Sequence, residues 1–422
     1  MNDPSPETIH RRVLPNGVTI LAYENFASES VVVEGLVRAG AIADPAGQEG
    51  LASFTAASLM RGTEKRDFDA IYEDLEAVGA DLAISSGKHS TGFGAGCLAE
   101  DTDLLLELLA DSLRRPTFPA GQIEQLRGQI MTGLTIRAND TRQMAMLAFN
   151  KLLYPNHPYG RSSRGSDQTI PAITQADLVN FHRRHYGPQG MIITIVGAIE
   201  AETAVAKLTR VFGDWENPEQ TVMPEVAGQE RPSATIRTHV HMPDKAQSDL
   251  ILGLPGPPRS APDYLHASLM NTILGVFGMM GRIGKSVREE QGLAYYAYST
   301  LHGGLGPSPW SASAGVAPEM VEQAIDSILA EIRRIQTEPV TAEELADSKA
   351  YRTGSLPVSL ETNSGLTNII IDMELYQLGL DYLQRFPALI NAITREQVQA
   401  AAQKYLSSEQ IGVAVAGPDL TR

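Results

Sequence analysis

The feature that most constrains this 422-residue chain is a repeat. The stretch "LEAVGADLAISS…GFGAGCLAEDTDLLLELLADSL" (75–113) lies over "REEQGLAYYAYS…WSASAGVAPEMVEQAIDSIL" (288–329) in pattern and punctuation. Each copy has a helical pattern ending at a glycine, two strand-like runs, and then an amphipathic helical run. The second copy carries a few extra residues near "HGGLGPSP". Earlier in the first half, "RRVLPNGVTILAYEN" reads as strand, Asn-Gly turn, strand, and "SVVVEGLVRAG" as a further strand. Strands grouped apart from helices, twice over, predict an α+β layer fold of two homologous domains. About 200 residues per copy is enough for a core in each. The division expected from chain order is 1–215, a linker at 216–233 ("ENPEQTVMPEVAGQERPS", rich in Pro, Glu and Gln), and 234–422.

Composition narrows the partners. A net charge of −16 argues against nucleic acid, whose phosphates would be repelled over most of the surface, and favours solubility. No apolar run reaches the roughly 18 residues that span a bilayer. The opening "MNDPSPETIHRR" has no apolar signal core, so a cytoplasmic protein is expected, or a periplasmic one if a leader was removed. The one cysteine, Cys97, excludes an internal disulfide and is expected to pack as a small apolar residue in a strand.

Several stretches invite a chemical reading. "GVFGMMGRIGKS" (275–286) resembles a phosphate loop, but Met279 stands where the rule needs glycine and the run follows a helical pattern rather than a strand. Its glycines are expected to let one helix end and the next begin close to another surface. His182 and His185 share a helix face, and His239 and His241 a strand face, yet neither pair has a third ligand nearby, and no zinc site is assigned to them. No Gly-x-Ser-x-Gly elbow occurs. In "SVREEQGLAYYAYST" (286–300), Arg288 ends a helix and Tyr295 opens a strand just beyond Gly292. That turn can bring a guanidinium and a phenol to one point, a pair suited to carbonyl oxygens and developing oxyanions. The plainer reading is a surface Arg288 beside Glu289 and Glu290, with Tyr295 packed in the sheet. Both stand at this point. "GLASFTAASLMRGT" (50–63) has the build of a buried helix with a Gly-Thr exit and carries nothing reactive.

Together with "LPNGVTILAYEN", "HPYGR" and the closing "LYQLGLDYLQRFPALINAITREQVQAAAQKYLSSEQIGVAVAGP", these stretches resemble, in order and over nearly the whole chain, the pitrilysin family of zinc peptidases, which includes insulin-degrading enzyme and mitochondrial processing peptidase. The family's catalytic helix reads Gly-Leu-Ala-His-Phe-x-Glu-His. Two histidines hold zinc and the Glu activates the metal-bound water. On that frame Ser53 stands at the first His, Ala56 at the Glu, Ala57 at the second His, and Gly133 at the downstream third ligand. Alanine and glycine have no side-chain lone pair, and a serine hydroxyl is a poor zinc ligand. The resemblance therefore implies no metal and no catalytic base in this chain. Arg288 and Tyr295, by contrast, match the family's Arg/Tyr motif residue for residue.

Bacterial relatives are often pairs of half-length chains, one with the zinc motif and one with only the Arg/Tyr pair. By resemblance this chain is the second kind. The domains are then mainly antiparallel sheets covered by helices on one side, forming half of a clamshell. Its partner is a zinc-motif subunit of similar length that supplies the zinc, with a homodimer in its absence, and its substrate is a peptide. The alternatives are a structural scaffold, as the family's respiratory-complex core subunits have become, or a homodimeric peptide-binding chamber without hydrolysis. The run 275–284 lies where the presequence-binding subunit of mitochondrial processing peptidase has a glycine-rich loop, though its composition differs.

Overall fold

The computed structural model describes residues 4–221 and 223–419. Apolar, β-branched runs form the strands, as their propensity dictates. β1 (Ile9–Val13), β2 (Thr19–Glu24), β3 (Ser30–Val37), β4 (Asp81–Ser86), β5 (Thr91–Leu98) and β6 (Ile192–Gly197) make one sheet in the order β1-β2-β6-β3-β5-β4. β7 (Ile236–His241), β8 (Ser248–Pro255), β9 (Ala294–Leu301), β10 (Pro309–Val316) and β11 (Gly412–Gly417) make the other in the order β7-β11-β8-β10-β9. Without β1, the two orders are the same pattern. Each sheet is antiparallel except where its last strand in sequence runs parallel to its first repeat strand, β6 beside β2 and β11 beside β7. The repeat is thus two copies of one α+β domain.

The chain packs into two units, each taking one helical segment from the other half of the sequence. The first comprises the described residues of Met1–Gly133, Ser162–Pro224 and Pro357–Arg385. The second comprises those of Leu134–Arg161, Glu225–Leu356 and Phe386–Arg422. The boundary between Pro224 and Glu225 falls inside 216–233, a segment with no helix or strand among its described residues. A division by chain order leaves out the two exchanged segments, because local periodicity says which residues form a helix but not which sheet the helix covers.

In the first unit, helix Asn363–Leu375 buries Leu366, Ile370 and Met373 against β3 and β6. It is pinned by a buried hydrogen bond from Asn25 to Asn363 (2.7 Å) and by the two-pronged Arg11–Glu374 pair, both contacts 2.8 Å. In the second unit, helix Thr141–Leu153 buries Ala145, Phe149 and Leu153 against β7, β8 and β11. In the first unit Thr102–Arg114 packs on β5 and Ala201–Phe212 on β2, across the sheet from Asn363–Leu375, which meets Ser30 and Glu34 on the other face of β3; in the second unit Tyr264–Gly275 packs on β9 and Val321–Thr337 on β8 and β10. Consequently β6 and β11 are buried at every residue.

Three of the four paired histidines have local partners. His182 Nε2 donates to the Leu113 carbonyl (2.9 Å), and burial pulls its imidazole down to about 4, so it is neutral at pH 7. His185 Nδ1 meets the Thr221 hydroxyl (3.1 Å) and His241 meets Asp419 (2.8 Å). Cys97 is buried in β5, and burial pushes its thiol up to about 11, which suits packing rather than reactivity. Among the described residues, no helix is long and apolar enough to cross a membrane.

Candidate functional site

Three of the four blank positions lie on helix Leu51–Ser58 of the first unit. The helix is entered through Gly50 in the left-handed region. The Asp44 carboxylate receives the Gly50 N–H (2.9 Å) and the Ala52 N–H (2.8 Å), satisfying two donors of the first turn. Sequence reading passes over Asp44 because it stands six and eight residues from its partners, outside the local capping pattern. Ser53 donates its hydroxyl to the Ser163 carbonyl (2.7 Å). Ala56 is 1% exposed in the core. Ala57 faces outward with only a methyl group. Gly133, on helix Ala120–Ala138, is exposed, and nothing lies within 4 Å of where its Cβ would stand. That helix packs along the first through Arg127 over the Phe54 ring (5.1 Å) and Arg61 on Gln129 (2.8 Å). These four residues do not fit a zinc site, because one oxygen donor is already committed and the rest have none. Among the described residues, no cluster of three or more His, Cys, Asp or Glu is placed to hold a metal ion.

The Arg/Tyr stretch lies in the second unit and is built differently. Helix Tyr264–Gly275 is followed by helix Phe277–Gly284, then by a π-helix, Lys285–Glu290, that carries Arg288. Such wide turns are rare and recur at functional sites. The π-helix closes when Gly292 N–H donates to the Arg288 carbonyl (3.2 Å) and Leu293 N–H to the Val287 carbonyl (2.9 Å), with Gly292 at φ +63°. β9 therefore starts beside the last turn of the π-helix. Gln291 ties this turn down through Ser286 (3.2 Å) and Ser327 (3.0 Å), a role that no local sequence pattern signals.

Here the plainer reading of Arg288 and Tyr295 gives way. Tyr295 is not packed in the sheet but 84% exposed. Arg288 is half-buried, and among the described residues its guanidinium has neither an ion pair nor a hydrogen bond. Glu290 instead faces Lys285 at 3.9 Å. A cation and a phenol with no partner of their own are thus presented from adjoining elements. Both are donors, and each suits an oxygen acceptor.

The glycine-spaced run has a packing reason. Gly281 sits at φ +68°, where an added Cβ would stand 2.7 Å from the Ile273 carbonyl oxygen and the Gly275 nitrogen. The side chains of 277–280, on which a peptide-contact role for the run would depend, lie outside the described residues. Gly281→Ala should therefore cost about 2 kcal/mol from strain and overlap. Gly292→Ala, left-handed but with open space around it, should cost about 1 kcal/mol. Urea midpoints followed at buried Trp310, in a Trp215→Phe background, check the difference.

The chain matches two family models, one described as insulinase (peptidase family M16) over residues 20–165 and one as the peptidase M16 inactive domain over residues 172–351. An uncharacterized zinc protease of Mycobacterium tuberculosis is 27% identical over 99% of this chain and 95% of its own length. A probable mitochondrial-processing peptidase subunit beta of Arabidopsis thaliana is 23% identical over 98% of this chain and 79% of its own. Among solved structures, a peptidase M16 inactive domain from Pseudomonas fluorescens superposes with a TM-score of 0.91 at 28% identity, covering 97% of this chain and 98% of that one. A protease from Helicobacter pylori shares the fold, with a TM-score of 0.90 at 19% identity over 97% of this chain and 99% of that one.

Proposed function

From the premise that the chain belongs to the insulinase (M16) peptidase family, we propose that it is the zinc-free subunit of a heterodimeric metallopeptidase. One asymmetry carries this reading. The metal frame at Ser53, Ala56, Ala57 and Gly133 offers only a serine hydroxyl that is already committed, while among the described residues Tyr295 is 84% exposed and the half-buried Arg288 has no ion pair or hydrogen bond. A chain that kept neither function would have no need of an uncompensated guanidinium beside an exposed phenol.

In this role Arg288 and Tyr295 bind the substrate rather than attack it. The guanidinium, always cationic and forked, holds a backbone carbonyl of the peptide. The phenol donates a second hydrogen bond to the same region. As negative charge develops on the carbonyl oxygen, both interactions strengthen, and this difference is what lowers a barrier. The zinc and the base come from a partner of similar length with an intact His-x-x-Glu-His helix.

The test is to purify this chain alone and together with such a partner and to assay peptide cleavage with and without a chelator. The expected result is no cleavage by the isolated chain and chelator-sensitive cleavage by the pair. Chelator-sensitive cleavage by the isolated chain would overturn the proposal.

A further inference from the structure

Tyr295 points the opposite way from its counterpart in the first unit. The repeat lays Gly79 over Gly292 and Leu82 over Tyr295, and both glycines adopt the same left-handed turn, φ +61° and +63°. Yet Leu82 is 8% exposed and Tyr295 is 84% exposed. In β4, Leu82, Ile84 and Ser86 share the face turned toward the core, with unbroken register against β5. In β9 the corresponding alternation would put Tyr295 on the core face with Ala297 and Ser299, both buried.

The pairing of β9 with β10 explains the reversal. Tyr296 pairs with Gly315, but the next partner, Val316, pairs with Ala294, so Tyr295 is the extra residue of a bulge. Ala294 takes the core-facing place and Tyr295 is turned out, which is how bulges re-aim a side chain.

A row across three strands fixes the last regular pair before that bulge. Tyr296 on β9 lies opposite Gly315 on β10, and Gly315 lies opposite Asp249 on β8. The Tyr296 ring crosses over Gly315, where a Cβ would stand 2.6 Å from its Cε1, and its hydroxyl donates to the buried Asp249 carboxylate on the far side. Asp249 also receives Gln247 (3.2 Å) and the Thr141 hydroxyl, and the Arg142 guanidinium lies over the Tyr296 ring at 5.0 Å. Burial, and then the Asp249 carboxylate, hold the Tyr296 phenol protonated, so it remains a donor.

We infer that Asp249, Gly315 and Tyr296 form a latch that positions Tyr295: by locking β9 one residue short of regular register, they keep the Tyr295 phenol outside the sheet. The latch residues touch no substrate. The inference rests on the proposed role of Tyr295, and its test separates the two. Without the latch, β9 can relax to the unbulged register, and a one-residue shift sends Tyr295 toward the other face.

Tyr296→Phe removes only the hydroxyl. In the isolated chain, nitration of Tyr295 by tetranitromethane, read by mass spectrometry on its own peptide, should slow at least about threefold as the register relaxes. In the active pair, Tyr296→Phe should lower kcat about tenfold with little change in KM. The double variant Tyr295→Phe/Tyr296→Phe should be no slower than Tyr295→Phe alone, the non-additivity of residues acting through one group. Gly315→Ala, which blocks the ring's path, should reproduce both effects. If Tyr295→Phe slows the pair while Tyr296→Phe changes neither kcat nor nitration, the latch is wrong. If Tyr295→Phe itself leaves the pair unaffected, the proposed function fails, and unchanged Tyr295 nitration in Tyr296→Phe would overturn the latch separately.

Discussion

Arg288→Ala should lower the turnover of the active pair by about 10²–10³-fold, the loss seen when a preorganised donor to a developing oxyanion is removed. The complex should still assemble, since the Arg288 side chain has no ion pair or hydrogen bond among the described residues and its removal breaks no internal contact of that kind. Tyr295→Phe should cost about 10–100-fold, the range for one hydrogen bond to a charged group. Arg288→Lys should recover only part of the loss, because an ammonium cannot reproduce the planar fork. Turnover numbers of the reconstituted pair, with assembly checked by size-exclusion chromatography, decide the matter. An Arg288→Ala pair that assembles and turns over like wild type would leave the scaffold reading in its place.

Glu344→Gln should destabilise the second unit by about 3 kcal/mol at pH 7, because it strips the counter-charge from a buried guanidinium. Arg282, with a side chain 7% exposed, meets Glu344 through two contacts of 2.7 and 2.8 Å. Glu344 also accepts the Thr341 N–H (2.8 Å), while its own N–H donates to the Thr341 hydroxyl (3.0 Å), a capping box at the start of helix Ala342–Ser359. Burial alone would raise the Glu344 carboxyl, but the hydrogen bonds from Arg282 and Thr341 outweigh it and hold the group at about 2. A folded value below the unfolded one means the contribution is present above the ordinary Glu range and is lost as pH falls toward 2. The stability gap between wild type and Glu344→Gln should therefore be widest at neutral pH and close below about pH 4.5. Urea denaturation at a series of pH values, followed at Trp310, measures the gap. A gap that stays constant down to the lowest accessible pH would contradict the assignment.

Much of the fold was legible because duplication repeats its punctuation. Glycines before β4 and β9, strand runs after them and amphipathic helices beyond gave two copies of one α+β layer without any contact being known. The four blank positions were equally plain, since the lack of a good zinc ligand at Ser53, Ala56, Ala57 and Gly133 is a property of residue type. The "TAEE" at Thr341–Glu344 was also a readable helix start, though its partner Arg282, about 60 residues away, was not. Asp249 gave little local signal either, because apart from nearby Gln247 its partners come from β9 and from the exchanged helix Thr141–Leu153.

The chemistry available to the chain was written in its residues. A helix frame without metal donors and an Arg/Tyr pair at the family's spacing follow from composition at named positions, which no folding can alter. Where those groups point was decided only in three dimensions. Strand alternation read along β9 sends Tyr295 into the core, and it does so for Leu82 in the other copy. A bulge is a mismatch between two strands, set by how Tyr296 reaches Asp249 across Gly315, and no single stretch of sequence contains it. The same holds for the exchanged helices: periodicity fixes which face of a helix is apolar, but only packing selects the sheet that covers it.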